Sequence, residues 1–248
     1  MDLGLRGKKA IISGATRGIG RSIAECLATE GCDVAICART ATEVNEAVSA
    51  MRVHGVNAMG SNLDVANTSA FAQWINQAAE DLGGLDIYIS TVSAQSFDWA
   101  RSFEVDIQAC VSGVEAALPH LKKSDHGSIV AIASQAALLS VPSYKPYSAM
   151  KAALISYMSS LSRELAPLGI RVNVVSPGEI YFEGGFWQRM EQEDPDLVAE
   201  ALHKNILGRF GTPLEVARAA VFLASPAASF ISGTNLLVDG ASKEHVQF

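Results

Sequence analysis

Tyr147 and Lys151 stand four residues apart in Tyr147-Ser148-Ala149-Met150-Lys151, and Ser134 lies thirteen residues upstream of the tyrosine. On a helix that spacing puts the phenol and the ammonium on one face. A free tyrosine titrates at about 10 and is a poor proton carrier at neutral pH. An ammonium close by favours the phenolate and moves proton transfer toward the working range. A serine hydroxyl beside them can hold the oxygen that gains or loses the proton. The set is an apparatus for moving a proton on or off an alcohol or carbonyl oxygen. Alone, Tyr-x-x-x-Lys is a weak signal, because helix surfaces carry such pairs by chance.

The elements that would position these groups give the signal weight. Ser134 follows Ile129-Val130-Ala131-Ile132-Ala133, an apolar run that reads as a buried strand. At the other end of the chain, Lys8-Lys9-Ala10-Ile11-Ile12-Ser13 reads as another strand. The turn Gly14-Ala15-Thr16-Arg17-Gly18-Ile19-Gly20 follows, and then a helix through Arg21 to Ala28. Strand, glycine turn and helix together open a dinucleotide-binding βαβ unit. Gly14 allows the tight turn, Gly18 lets backbone approach a pyrophosphate, and Gly20 lets the helix pack on the sheet. The helix N-terminus, with Thr16 and Ile19 beside it, offers free N–H groups to the phosphates.

The second strand, Asp33 to Ala38, ends without the carboxylate that usually holds the ribose 2′-hydroxyl of NAD. Arg39 follows it, and Arg17 lies in the glycine loop. Both can pair with a 2′-phosphate, so the sequence predicts NADP(H) over NAD(H). A third strand is expected from Val56 to Leu63. Asp64, followed by Val65, then suits either an adenine contact or a cap on the next helix.

With these motifs placed, the chain resembles a short-chain dehydrogenase/reductase over essentially its whole length, in its 3-ketoacyl-carrier-protein-reductase-like branch. Ser176-Pro177-Gly178 and the tail Gly233-Thr234-Asn235-Leu236-Leu237-Val238-Asp239-Gly240 add to the likeness. The resemblance implies Tyr147 as general acid in reduction and base in oxidation. It implies Lys151 on the nicotinamide ribose and Ser134 on the reacting oxygen. Pro177, Gly178 and the backbone through Ile180 would line the nicotinamide. Three departures stand out. Ser90-Thr91-Val92-Ser93 replaces the usual Asn-Asn-Ala-Gly. Asp106 replaces an asparagine that holds a proton-relay water; a carboxylate can hold the water or pair with Lys151 directly. Phe182 replaces the threonine that binds the nicotinamide carboxamide.

At 248 residues, 49% of them hydrophobic, the chain fits one domain spanning 1–248. The expected class is α/β: a Rossmann-type, doubly wound parallel sheet with helices on both faces. A net charge of −7 without a lysine/arginine block argues against nucleic acid as a partner. No run is long enough for a membrane span, and the polar start to Lys9 shows no signal peptide. Cys26, Cys32, Cys37 and Cys110 lack metal spacing and read as reduced core residues in a cytoplasmic protein. No metal is expected.

The segment 180–207 reads as a substrate lid, with Tyr181, Phe182, Phe186, Trp187 and Met190 and a possible hinge at Gly184-Gly185. The aromatic residues suggest a substrate with an apolar part, with Gln135, Leu138, Leu139 and Tyr144 as the opposite wall. Val105–Leu121 and Ala149–Leu165 are apolar nearly all round, which predicts burial on more than one side. The resemblance makes them subunit contacts of a homotetramer. The expected function is an NADP(H)-dependent oxidoreductase interconverting a carbonyl and a secondary alcohol. The alternative is an NADP-binding sensor or scaffold that has lost turnover. A dehydratase or epimerase on nucleotide sugars is a third reading, which the short chain disfavours.

Overall fold

The computed structural model describes residues 2–141 and 144–243. Its strands are β1 (Lys9–Ser13), β2 (Asp33–Ala38), β3 (Ala58–Asn62), β4 (Ile87–Ser90), β5 (Ser128–Ile132), β6 (Arg171–Pro177) and β7 (Asn235–Val238). They form one parallel sheet in the order β3-β2-β1-β4-β5-β6-β7. The helices are α1 (Gly18–Thr29), α2 (Ala41–Arg52), α3 (Thr68–Asp81), α4 (Trp99–Ser102), α5 (Ala109–Leu121), α6 (Lys145–Leu165), α7 (Phe186–Glu193), α8 (Pro195–Lys204) and α9 (Pro213–Ala224).

Both faces of the sheet are covered, so its strands are nearly continuous apolar runs; all five residues of β5 are buried. Alternation along β1 sends Ile12 to one core and Ile11 to the other. The first core packs α1, α2 and α9 through Ile23, Val44 and Val216. The second packs α3, α5 and α6 through Phe71, Val114 and Leu154. The fold is the doubly wound Rossmann type expected from the sequence. Strand order reverses between β1 and β4, and ligand crevices of such sheets open beyond the strand ends at that reversal. Gly14, Thr91, Ser134 and Gly178 all follow such ends.

Three boundaries differ from the sequence reading. β3 is shorter than Val56–Leu63, because the glycine at 60 and the polar residues after it leave its edge half-exposed. The helix expected from Val105 is interrupted: Phe103–Gln108 is π-helical, and regular α-helix begins only at Ala109. Helix α6, which carries Tyr147 and Lys151, begins at Lys145, with Pro146 in its first turn, where a missing N–H costs nothing. Tyr144 stands at its N-cap. Among the described residues α6 buries a single face, including Lys151, Leu154, Met158, Leu161 and Leu165.

Candidate active site

Helix α6 brings Tyr147 and Lys151 together. The Lys151 ammonium lies 5.9 Å from the centroid of the Tyr147 ring. Lys151 is 1% exposed. Its Nζ donates to the Ile132 carbonyl at 3.1 Å and pairs with Asp106 Oδ1 at 3.0 Å. Asp106 is as deeply buried, and its Oδ2 accepts the Ala94 N–H at 3.1 Å. Burial, the largest single effect, opposes the lysine's charge, but Asp106 foremost, with Tyr147 and Cys110, outweighs it and raises the ammonium above its ordinary value. Of the two arrangements left open for Asp106, direct pairing is the one formed.

Ser134 follows β5 in extended backbone, φ −166° and ψ 151°, and its Oγ accepts the Ala136 N–H at 3.1 Å. That bond uses a lone pair and leaves the hydroxyl proton free to donate. Extended backbone sends successive side chains to opposite sides. Gln135 accordingly leaves the catalytic side: its amide donates to Glu179 and accepts Ser242 Oγ at 2.8 Å. Its carbonyl accepts Lys243 Nζ at 2.5 Å. The expectation that Gln135 walls the substrate pocket is therefore corrected. It ties the ends of β5 and β6 to the chain beyond β7.

The nucleotide end is built around Gly14 and Gly20. A Cβ on Gly20 would lie 2.2 Å from the Gly14 carbonyl oxygen, so glycine alone lets α1 approach the turn. Thr91 Oγ1 donates to the Ser13 carbonyl at 2.5 Å and lies 3.2 Å from that of Gly14, fastening the turn to the end of β4. Sequence reasoning treated Ser90–Ser93 only as a departure and missed this role. A hydroxyl reaching across from a neighbouring strand end leaves no sequence signal.

Gly18 has φ +54° and opens α1, whose N-cap residue Arg17 makes no side-chain cap. The first-turn N–H groups of α1 are thus left for another acceptor. Arg17 and Arg39 are both exposed. A phosphorylated nucleotide fits this donor set: close backbone, an uncapped helix start and two cations. Thr16 is partly committed, its hydroxyl donating to Glu43 Oε2 at 3.0 Å. Ile19 is half-buried, Val65 is buried, and Ile180 is buried in an isolated bridge to Gly211. Gly178 packs against Asp239 and donates to the Val238 carbonyl at 2.9 Å, with buried Pro177 closing β6 before it.

Asp64 does not cap the following helix; Asn67 does, accepting the Ala70 N–H at 3.2 Å. Asp64 instead accepts the Ala66 N–H at 3.0 Å and pairs with Arg101 at 3.2 Å. The Ala66 N–H first, then Arg101 and more distantly Arg39, hold its carboxyl below the ordinary value against a smaller burial effect. Phe182 lies on the glycine loop: a Cβ on Gly18 would meet its Cζ at 2.7 Å.

The lid's aromatic residues form two groups joined by an edge-on contact of Phe186 with Trp187 at 5.1 Å. Tyr144 is the hub of one. Its ring centroid lies 4.7 Å from Phe97, 5.7 Å from Phe186 and 6.4 Å from Tyr147. The other stacks Phe210 on Trp187 at 5.0 Å and on Tyr181 at 6.2 Å. It joins the lid to the segment that leads into α9. Leu138 and Leu139 stand exposed near the turn after Ser134.

This geometry agrees with the comparisons to known proteins. A family model described as Enoyl-(Acyl carrier protein) reductase matches residues 14–241. Isoepoxydon dehydrogenase patN of Penicillium expansum is 38% identical over 260 residues, covering 100% of this chain and 99% of that protein. The crystal structure of L-sorbose reductase from Gluconobacter frateurii, complexed with NADPH and L-sorbose, aligns with a TM-score of 0.91. It is 27% identical and covers 99% of this chain and 100% of that one. NAD+-bound xylitol dehydrogenase aligns with a TM-score of 0.90 at 26% identity, covering 96% and 99%. The chain belongs to the short-chain dehydrogenase/reductase family, in its ketoacyl-reductase-like branch. It is an oxidoreductase of CH–OH and C=O groups that uses a nicotinamide nucleotide.

Proposed function

We propose that this enzyme is NADP(H)-dependent and interconverts a carbonyl and a secondary alcohol with Tyr147 as general acid and base. The observation that carries the reading is the buried Lys151 ammonium, fixed beside Tyr147 on α6 and bonded to the Ile132 carbonyl two residues before Ser134. The bound nicotinamide would supply or accept the hydride at the substrate carbon. In reduction, the Ser134 hydroxyl donates to the carbonyl oxygen and orients it. Tyr147 then transfers its proton to that oxygen as the alkoxide develops. Lys151 would hold the nicotinamide ribose and keeps its positive charge beside Tyr147. Oxidation runs the same steps backwards.

The preference for the phosphorylated nucleotide is supported by exposed Arg17 and Arg39 and by Ala38, without a carboxylate, at the end of β2. The Tyr144–Phe97–Phe186 group beside Tyr147 supports a small carbonyl or alcohol substrate with an apolar face, covered by the 180–207 lid. No helix among the described residues is long and apolar enough to cross a membrane. The reading includes one catalytic domain and a cytoplasmic homotetramer. The position of β7 at the end of the sheet among the described residues supports self-association. Exposed Leu236 and a cavity of about 590 Å³ flank it, lined also by Ile155, Met158 and Val172. Light scattering at the monomer mass would count against it.

The main test is Tyr147→Phe, assayed with NADPH and a panel of cyclic and aryl ketones. The expected result is a loss of about a hundredfold or more in kcat with an unchanged unfolding midpoint. Retained turnover would remove Tyr147 from the chemistry. Phe182 resting on Gly18 favours the second reading, a nucleotide-binding protein with weak turnover. That reading gains if NADPH binds while wild-type protein reduces no ketone in the panel.

A further inference from the structure

The Asp106 side chain faces two hydrogen-bond donors at once. Lys151 Nζ lies 3.0 Å from Oδ1, and the Ala94 N–H lies 3.1 Å from Oδ2. A carboxylate supplies an acceptor oxygen to each, whereas an asparagine amide has only one oxygen and would turn its NH₂ on the other donor. The ammonium has three N–H groups: one goes to the Ile132 carbonyl, and Asp106 Oδ1 faces the charge as an ion pair at 3.0 Å rather than as an aligned hydrogen bond. N–H capacity remains for the cofactor ribose or the Tyr147 oxygen. The wider turn of the π-helical stretch Phe103–Gln108 carries Asp106 into this position.

We propose that Asp106 is a positioning residue for the catalytic pair, clamping the Lys151 ammonium and the loop after β4 together through its two oxygens. This rests on the reading of Lys151 given above. It assigns Asp106 a task other than holding a relay water. The loop it holds at Ala94 begins with Thr91, which fastens the glycine turn. One buried carboxylate therefore links the proton-transfer residues to the nucleotide cradle.

The groups that face Lys151 define how its charge depends on Asp106. They are Asp106 from the π-helical stretch, Tyr147 from its own helix, Cys110 from α5 and the Ile132 carbonyl from β5. Burial pushes the Cys110 thiol up, so it stays neutral. Without the carboxylate, burial would act on Lys151 with no anion opposing it at neutral pH, and the neutral amine would gain ground.

The test compares wild type with Asp106→Asn. The expected result is a ten- to hundredfold fall in kcat and weaker NADPH binding by fluorescence titration. The alkaline limb of the pH–rate profile should move at least one unit toward neutrality, because Lys151 now loses its proton earlier. A purely structural role would lower the unfolding midpoint and leave the profile of the remaining activity in place; that outcome overturns the proposal, as does wild-type kcat in the variant. Should the variant fail to fold, the ¹⁵N resonance of Lys151 Nζ in the wild-type protein decides. A slowly exchanging ammonium persisting at pH 8 supports the clamp, and a neutral amine there overturns it. That resonance needs no turnover. Activity surviving in Tyr147→Phe would defeat the catalytic reading while leaving the clamp to be judged separately.

Discussion

Replacing Gly20 by alanine tests how the nucleotide cradle is built. The added Cβ would lie 2.2 Å from the Gly14 carbonyl oxygen, 2.6 Å from Thr91 Oγ1 and 3.0 Å from the Gly14 carbonyl carbon. Comfortable heavy-atom contacts begin near about 3.5 Å, so α1 must retreat by roughly 1 Å. The turn cannot yield instead. Gly14 is held by its own N–H to the Cys37 carbonyl at 2.8 Å and by Thr91. Retreat would loosen the packing of Ile23, Ala24 and Leu27, all fully buried. Overpacking costs about 1–3 kcal/mol, and a clash with fixed backbone belongs at the upper end, about 3 kcal/mol. Gly18→Ala is the control. Its Cβ meets only the end of the Phe182 ring, which can turn aside, and the positive φ adds about 1–2 kcal/mol. Urea unfolding at constant slope reads both variants. Gly20→Ala should lose more stability, while Gly18→Ala, despite the smaller loss, should be impaired in NADPH binding. A Gly20→Ala midpoint equal to wild type, or a larger loss at Gly18, would refute this account of the loop.

Two further outcomes are expected. Arg39→Ala should lower the kcat/KM ratio of NADPH over NADH about tenfold or more, since a charge-assisted pair to a phosphate is among the stronger hydrogen bonds; an unchanged ratio removes Arg39 from cofactor choice. Burial first, and the charge of Asp239 second, push the Glu179 carboxyl up from its ordinary value of 4.5, and its Oε2 has no partner among the described residues. The folded state therefore holds the Glu179 proton more tightly than the unfolded state, and stability falls as pH rises above about 4.5 through the folded value. Glu179→Gln keeps an acceptor for Gln135 and removes that loss, so its melting temperature should exceed wild type at pH 8 and approach it at pH 4. Equal shifts at both pH values would show that ionisation is not the cause.

What could be read from the sequence follows a physical division. The doubly wound sheet was readable because strands such as β1, β2 and β5 are short apolar runs closed by glycine or polar residues, and Asp33–Ala38 falls where expected. The Tyr147–Lys151 pairing was readable because one helix carries both residues. The tasks of Gln135 and Asp64 were not, because they depend on groups distant in the chain. Gln135 is taken by Ser242 and Lys243, more than a hundred residues on, and Asp64 by Arg101. The π-helical stretch was hidden for a related reason: a widened turn has no periodicity of its own, and Asp106 inside it could be read only as part of a continuous helix.

The Asp106–Lys151 pair also bears on whether this protein turns over substrate or only binds a nucleotide. Two charged groups at 1% exposure are an inefficient way to hold a fold together, because desolvation cancels much of their attraction. Apolar residues of similar size would serve the second core, which already packs Leu154 and Met158 along the same helix, at least as well. A scaffold that needed only the sheet and the glycine turn has no use for an ammonium between the ends of β4 and β5. An enzyme that must keep one N–H of a charged lysine beside a phenol does. In the loop after β4, Thr91 fastens the turn and Ala94 braces Asp106. These contacts hold Lys151 and Asp106 in place, as the acid–base centre proposed at Tyr147 requires.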